Sequence, residues 1–240
     1  IAMPATDSTS QSLAAKMPDW LHIRRAVPDD AAAIVKIMQH TWTHAFAHFV
    51  TQAAKDALPG RYAAMVAERR HALEQLAAVP PDQRTEEVFV VVGTPPATVS
   101  TPVAGGDRWE DGVHERLLGF AHVWLLTPDT PRIDFVRDEV AGGSPRLAEL
   151  YTFHFLPEAQ GTGAAMAMFA RCAQWTRDVL GTLRMILWTV ELNTKARAFY
   201  ERKTHATQLG LLPFDFVGAP VPGVCYSWTT EQIGRFADMA

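Results

Sequence analysis

Cysteine is scarce in this chain. Cys172 and Cys225 are the only two in 240 residues, too far apart for a metal-ligand spacing and too few for a disulfide framework. Neither lies in a nucleophile signature, and the expected compartment is reducing and cytoplasmic. Charge of one sign is never concentrated. The 22 basic and 26 acidic residues leave a formal net charge of −4 without a lysine or arginine block, so nucleic acid is excluded as the expected partner. No run approaches the roughly 20 apolar residues of a bilayer span, and the N-terminus lacks a basic stretch followed by an apolar one, so no membrane partner is expected. A Gly-Lys-Ser/Thr triplet is absent, which excludes a Walker-type phosphate loop, and there is no internal repeat.

What is present is apolar patterning. Hydrophobic residues make up 48% of the chain, ample for a packed core. Ile1 and Ala2 ahead of Met3 read as an expression remnant, and residues 1–19 as a flexible tail before a single domain over 20–240. Leu21 to Ala26 alternates as a strand does, and Asp29 or Asp30 then caps a helix carrying Ile34, Ile37 and Met38. A helix is expected over Tyr62 to Leu76, and buried strands at Val88 to Val92 and Leu117 to Leu126. Segments 93–115 and 127–145 are rich in Gly, Pro, Thr and Asp and read as long loops. Leu150 to Phe155 is a strand whose simple alternation puts Leu150, Thr152 and His154 on one face and Glu149, Tyr151, Phe153 and Phe155 on the other. A helix with Met166, Phe169, Ala173, Thr176 and Leu180 at helical spacing follows, then a strand over Arg184 to Val190. Asn193 caps the next helix, and strands close the pattern around Gln208 to Phe216 and Val224 to Trp228. This order is that of an α/β fold with a central sheet.

Between strand and helix, Gln160 to Ala165 reads Q-G-T-G-A-A. Glycine lets a backbone approach a bulky anion, and a helix start offers N–H groups to it; a tight helix entry is the simpler alternative. A dinucleotide G-x-G-x-x-G fails, because Met166 stands where the third glycine belongs. The stretch resembles the acetyl-CoA loop of the GCN5-related N-acetyltransferases (GNAT), which reads Gln/Arg-x-x-Gly-x-Gly/Ala in the same strand-loop-helix setting. N-T-K-A-R-A-F-Y adds a second match, with Asn193, Ala196, Phe199 and Tyr200 at the family's spacing; Asp29 to Trp42 looks like its first helix. The chain departs at Thr204-His205, where the family often has Gly and an aromatic residue.

The resemblance implies a mixed central β-sheet flanked by helices, and transfer of an acetyl group from acetyl-CoA to an amine, most simply of a small molecule, by direct attack in a ternary complex. A protein lysine or N-terminal amine as acceptor, or a silent acyl-CoA-binding module, are the alternatives. The rim of the strand at Phe153, His154 and Phe155 would hold the pantetheine arm, and a backbone N–H there would polarise the carbonyl. Gly161, Thr162, Gly163, Ala164, Ala165 and Met166 would hold the pyrophosphate, Gln160 would brace the loop and Asn193 would contact the arm. Tyr200 would protonate the departing thiolate, unless it is only a core residue. Glu149 is the first candidate for the base, with a solvated or ion-paired strand end as its alternative; His122 is the second, with a satisfied sheet histidine as the simpler reading. His40, His44 and His48 recur at i, i+4 and i+8, but two helical turns separate the outer pair by about 12 Å. That is too far for one ion, so no metal is expected, and these histidines line an acceptor site or a solvated face. Trp42 and Phe46 would wall an apolar acceptor pocket or simply belong to the core. A homodimer is left open.

Overall fold

The computed structural model describes residues 17–44, 52–94, 116–127, 129, 130, 134, 136, 146–216 and 219–240. Seven strands form one sheet: β1 (Leu21–Arg25), β2 (Glu86–Gly93), β3 (Arg116–Leu125), β4 (Ala148–Phe155), β5 (Met185–Val190), β6 (Thr207–Phe216) and β7 (Ala219–Trp228). They lie in the order β1-β2-β3-β4-β5-β7-β6. Every pairing is antiparallel except β4 with β5. The helices are α1 (Ala31–His44), α2 (Gln52–Ala78), α3 (Ala164–Asp178), α4 (Thr194–Arg202) and α5 (Thr230–Ala237). The α/β pattern read from the sequence is therefore present, with one helix added.

Local chemistry accounts for the elements. β2 and β3 carry Val88 to Val92 and Leu118 to Val123 as nearly continuous buried runs, because both faces of the central sheet are covered. Asp30 is the residue that organises the entry to α1: its carboxylate accepts the Val27 N–H at 2.8 Å and grips Arg24 with both oxygens at 2.7 and 2.9 Å. α2 begins ten residues before the expected Tyr62, and Pro59 lies inside it, forfeiting one backbone bond. α1 lies over the face that bears Phe120 and His154, its Thr41 hydroxyl 2.9 Å from His154 Nδ1. α3 covers the opposite face, where Arg171 sits over the Phe89 ring. His205, at φ 54°, is the left-handed residue after α4, one position beyond Thr204, where the related pattern has glycine. Thr204 is wholly buried there; its hydroxyl donates to the Tyr200 carbonyl at 2.6 Å, and its own carbonyl accepts Trp228 Nε1.

The tail's first 16 residues lie outside the described residues, as do Phe46, His48 and nearly all of the two long loops. No described helix is long and apolar enough to cross a membrane.

α5 is built by signals present in the chain. Thr229 and Gln232 form a reciprocal cap, and Ile233, Phe236 and Ala237 put one apolar stripe against α3. Phe236 meets Phe169 edge-on at 4.9 Å, and Phe169 meets Trp228 at the same separation. Phe236→Ala should lower unfolding free energy by about 3 kcal/mol and Thr229→Ala by about 1 kcal/mol, read from urea midpoints. Equal small losses would show that α5 is not docked on this core.

Candidate functional site

β4 and β5 run side by side for only two residues, Ala148 with Met185 and Glu149 with Ile186. Beyond Glu149, β4 continues to Phe155 and β5 to Val190 without pairing, so the sheet opens into a V. One rim of β4 is left with backbone N–H and C=O groups that no strand takes up. The opening is a cavity of about 460 Å³. Phe153, His154 and Phe155 line it from β4, Gln160, Gly161, Gly163, Ala165 and Met166 from the glycine turn and α3, and Asn193, Lys195, Ala196, Phe199, Tyr200 and Lys203 from around α4. Thr41 reaches it from α1.

The glycine turn has a backbone reason. Gly161 and Gly163 adopt φ 78° and 85°, the left-handed region, and Gly163 is the N-cap of α3. A Cβ on Gly161 would meet nothing within 4 Å, so the turn presents bare backbone to open space. Thr162 and Ala164 do not line the cavity. Thr162 Oγ1 donates to the Ala159 carbonyl at 2.7 Å and accepts the Ala164 N–H at 3.3 Å, while Ala164 is wholly buried. These two fix the turn; their neighbours face the cleft. Lys195 Nζ hydrogen-bonds Gln160 Oε1, joining α4 to the turn. Asn193 Oδ1 caps α4 by accepting the Ala196 N–H at 3.2 Å.

Tyr200 belongs both to the cleft and to an aromatic cluster. Its ring lies 6.4 Å from Phe153, 5.5 Å from Phe199 and 5.8 Å from Tyr226, and it is 5% exposed. Burial pushes its phenol pKa well above the usual value, with Tyr226 adding to the rise, so it keeps its proton throughout the ordinary pH range.

Glu149 and His122 do not line the cleft. A bulge corrects the expected faces of β4: His122 pairs with Thr152 but Val123 with Leu150, so Tyr151 is an extra residue that reverses the alternation. Glu149 therefore shares a face with Thr152 and His154, not with Phe153 and Phe155. It is buried and accepts the Trp124 indole N–H at 3.0 Å. His122, buried on the same face, bonds Glu86 Oε2 through Nε2 at 2.7 Å. Trp124 and Tyr151 stack at 4.2 Å beside it. A strand period of 2 is all that sequence spacing supplies, and nothing local to Leu150-Tyr151-Thr152 marks the inserted residue.

No set of three or more potential metal ligands occurs among the described residues. The side chain of His44 and all of His48 lie outside them; His40 is half-buried on α1. Both cysteines are buried thiols, and burial pushes the Cys172 pKa far up, which makes it inert. Thr41, Lys195 and Lys203 are cleft residues that the motifs do not include. Lys195 stands at an unassigned position inside the Asn-to-Tyr pattern and Lys203 three residues beyond it, and only the fold turns them toward the opening.

A mixed sheet split between its central strands, with a glycine turn starting the helix after β4, defines the class: this is the GNAT fold. Solved structures with that fold superpose over nearly the whole chain. They include the spermidine/spermine N-acetyltransferase SpeG of Vibrio cholerae (TM-score 0.51, 15% identity, 90% of this chain and 97% of that one). The PaiA N-acetyltransferase of Thermoplasma acidophilum in complex with coenzyme A also matches (TM-score 0.51, 12% identity, 85% and 97%). Residues 96–205 match the Acetyltransferase (GNAT) family, and 60 residues are 42% identical to the mycothiol acetyltransferase of Salinispora arenicola strain CNS-205. The match to the mycothiol enzyme takes in 25% of this chain and 20% of that protein.

His154 makes the site pH-sensitive. Burial lowers its pKa to about 4, with Arg69 contributing, so the folded protein holds it neutral while the unfolded chain takes up a proton at the ordinary value near 6.5. Between those values the unfolded state binds more protons, so stability falls as pH drops from about 6.5 to about 4, by about 3 kcal/mol from this group. Urea melts of parent and His154→Gln at pH 7, 5.5 and 4 should show a shallower decline in the variant. Parallel declines would remove His154 as the cause.

Proposed function

We propose that this protein transfers the acetyl group of acetyl-CoA to the nitrogen of a small-molecule amine by direct attack in a ternary complex. The observation that carries the reading is the meeting, in one cleft, of the unpaired β4 rim, the left-handed glycine turn and the Tyr200 ring. Coenzyme A in the PaiA complex and the polyamines in SpeG's name support the cofactor and the class of acceptor. Two buried free cysteines support a reducing compartment.

The residues suit acetyl-CoA. Gly161, with open space where a Cβ would stand, and Gly163, the N-cap of a 15-residue helix, provide a seat for pyrophosphate, and Lys195 and Lys203 add positive charge at the same opening. The β4 rim at Phe153 to Phe155 offers backbone groups to the amide-bearing pantetheine arm, as an added strand would. Acetyl-CoA supplies the activated thioester. Tyr200, which burial keeps protonated, donates its proton to the departing sulfur. Glu149 and His122, on the α1 side of β4, are the candidates for taking the proton from the incoming ammonium. Acid and base thus approach the reacting carbon from opposite faces of the sheet. A silent binding module would not need a phenol in the cleft, which favours the enzyme.

Thermal shift with acetyl-CoA, followed by thiol release over a panel of primary amines, tests the reading directly; the absence of both stabilisation and release would refute it. Gly163→Val places a β-branched residue at φ 85°, at a cost of about 1–2 kcal/mol to the turn, and obstructs the N–H seat. Calorimetry should show acetyl-CoA affinity reduced at least about tenfold in a variant that remains folded. Tyr200→Phe keeps the ring's packing and removes the proton, so kcat should drop by about 10²-fold or more with acetyl-CoA affinity nearly unchanged. Undiminished kcat when chemistry limits the rate would take Tyr200 out of the mechanism.

A further inference from the structure

His122 and Thr152 face each other across β3 and β4 on the α1 side, at the bulge. His122 Nδ1 and Thr152 Oγ1 are both sealed from solvent, and neither has a hydrogen-bond partner among the described residues. Two unsatisfied polar atoms on adjacent strands are costly unless something meets them. Their setting is ordered. Glu86 holds His122 through Nε2, which fixes the tautomer with the proton on Nε2 and the lone pair on Nδ1. Trp124 and Tyr151 bring their edges to the imidazole at 5.4 and 5.8 Å, and Tyr151 is 48% exposed, the side of this wall open to solvent. Thr152 precedes His154 by two residues on the same face, about 7 Å along the strand, and His154 already lines the cleft. The orphaned pair therefore lies one step along β4 from the cleft.

We propose that these two atoms are the seat of the acceptor nitrogen: His122 Nδ1 is the base, Thr152 Oγ1 accepts a second N–H from the same ammonium, and Glu86 is a positioning residue. This rests on the acetyltransferase reading and chooses between its two candidate bases. Glu149 is engaged with the Trp124 indole. The charged and titratable groups around His122 are Glu86 from β2, Glu149 and Tyr151 from β4 and Arg69 from α2, whose charge acts on Glu86 and Tyr151. In the reaction the ammonium gives one proton to Nδ1, the free amine forms a nitrogen–carbon bond to the acetyl group and the carbon–sulfur bond breaks. Tyr200 protonates the sulfur and regains a proton from the new amide nitrogen, and His122 releases its own to solvent.

Five variants at three positions, read by kinetics, cofactor affinity and nitrogen-15 spectra, test this. His122→Gln should reduce kcat at pH 7 by about 10²-fold or more on whichever primary amine of the panel the parent acetylates, with activity climbing steeply as rising pH supplies free amine. Thr152→Val should raise KM for that amine while Thr152→Ser restores it. Glu86→Gln should lower kcat with acetyl-CoA affinity unchanged, and Glu86→Asp should recover part of the loss. Nitrogen-15 histidine spectra of the parent should show His122 protonated at Nε2 only, and Glu86→Gln should mix the tautomers. An active parent whose His122→Gln variant keeps its rate at low pH overturns the proposal, as does a parent spectrum with the proton on Nδ1. A parent that releases thiol with no amine fails the acetyltransferase reading itself, and is recognised by that.

Discussion

The parallel contact between β4 and β5 ends after two residues, and the rest of the molecule is arranged around that ending. A sheet normally closes its hydrogen bonds strand by strand, since buried N–H and C=O groups without partners cost about 1–3 kcal/mol each. Here six residues of β4 give up a strand partner on one side. The loss is tolerated because the opposite rim of β4 is paired with β3 from Ala148 to Phe155, the bulge at Tyr151 apart, and because α3 and α4 wall the gap without filling it. The glycine turn follows from the same geometry. The chain leaving β4 must reverse into α3 at the mouth of the V, and two left-handed residues two positions apart accomplish this in the space of one short 3-10 helix and a turn.

Polar groups are distributed unequally between the two faces of the central strands. The side covered by α3 carries Phe153, Phe155, Phe199 and Tyr200, an aromatic lining with one phenol. On the α1 side are Glu86, His122, Glu149, Thr152 and His154 within a few strand positions of one another. Buried ionisable groups such as His122 and Glu149 are hard to justify by stability, since hydrophobic substitutes of similar volume commonly do as well or better. Glu87 and Glu158 show the contrasting structural use: each is buried, but each is met by arginine, at 2.9 Å from Arg84 and Arg116 respectively.

Much of the fold was legible in the sequence because its signals are local. The valine run of β2, the Asn193 cap and the apolar spacing of α3 each sit within one element, and Gln160 to Ala165 together with Asn193 to Tyr200 pointed to the superfamily. α5 was also signalled, by Thr229 with Gln232 and by Ile233 with Phe236, in a stretch too short to stand out against the strands before it. The start of α2 was obscured because Pro59-Gly60 reads as a break. Other features were not encoded locally at all. The bulge at Tyr151 is defined only by its partner strand, and it decided which face Glu149 occupies. Thr41 and His154 meet across 113 residues of chain, and Glu86 reaches His122 across 36. Such contacts are products of register, which spacing within one segment does not contain.

The open rim of β4 also bears on how the protein avoids its own kind. Exposed strand edges are templates for pairing with another chain, and proteins commonly blunt them with charge, proline or a covering loop. This edge is protected by position. A foreign strand would have to enter point-first between β4 and β5 and could not lie alongside over any length, since the two strands converge at Glu149 and Ile186 and Pro157 ends the run at the other side. A slender molecule fits such a slot and a second sheet does not, so the geometry that opens a binding cleft also works as a filter against aggregation.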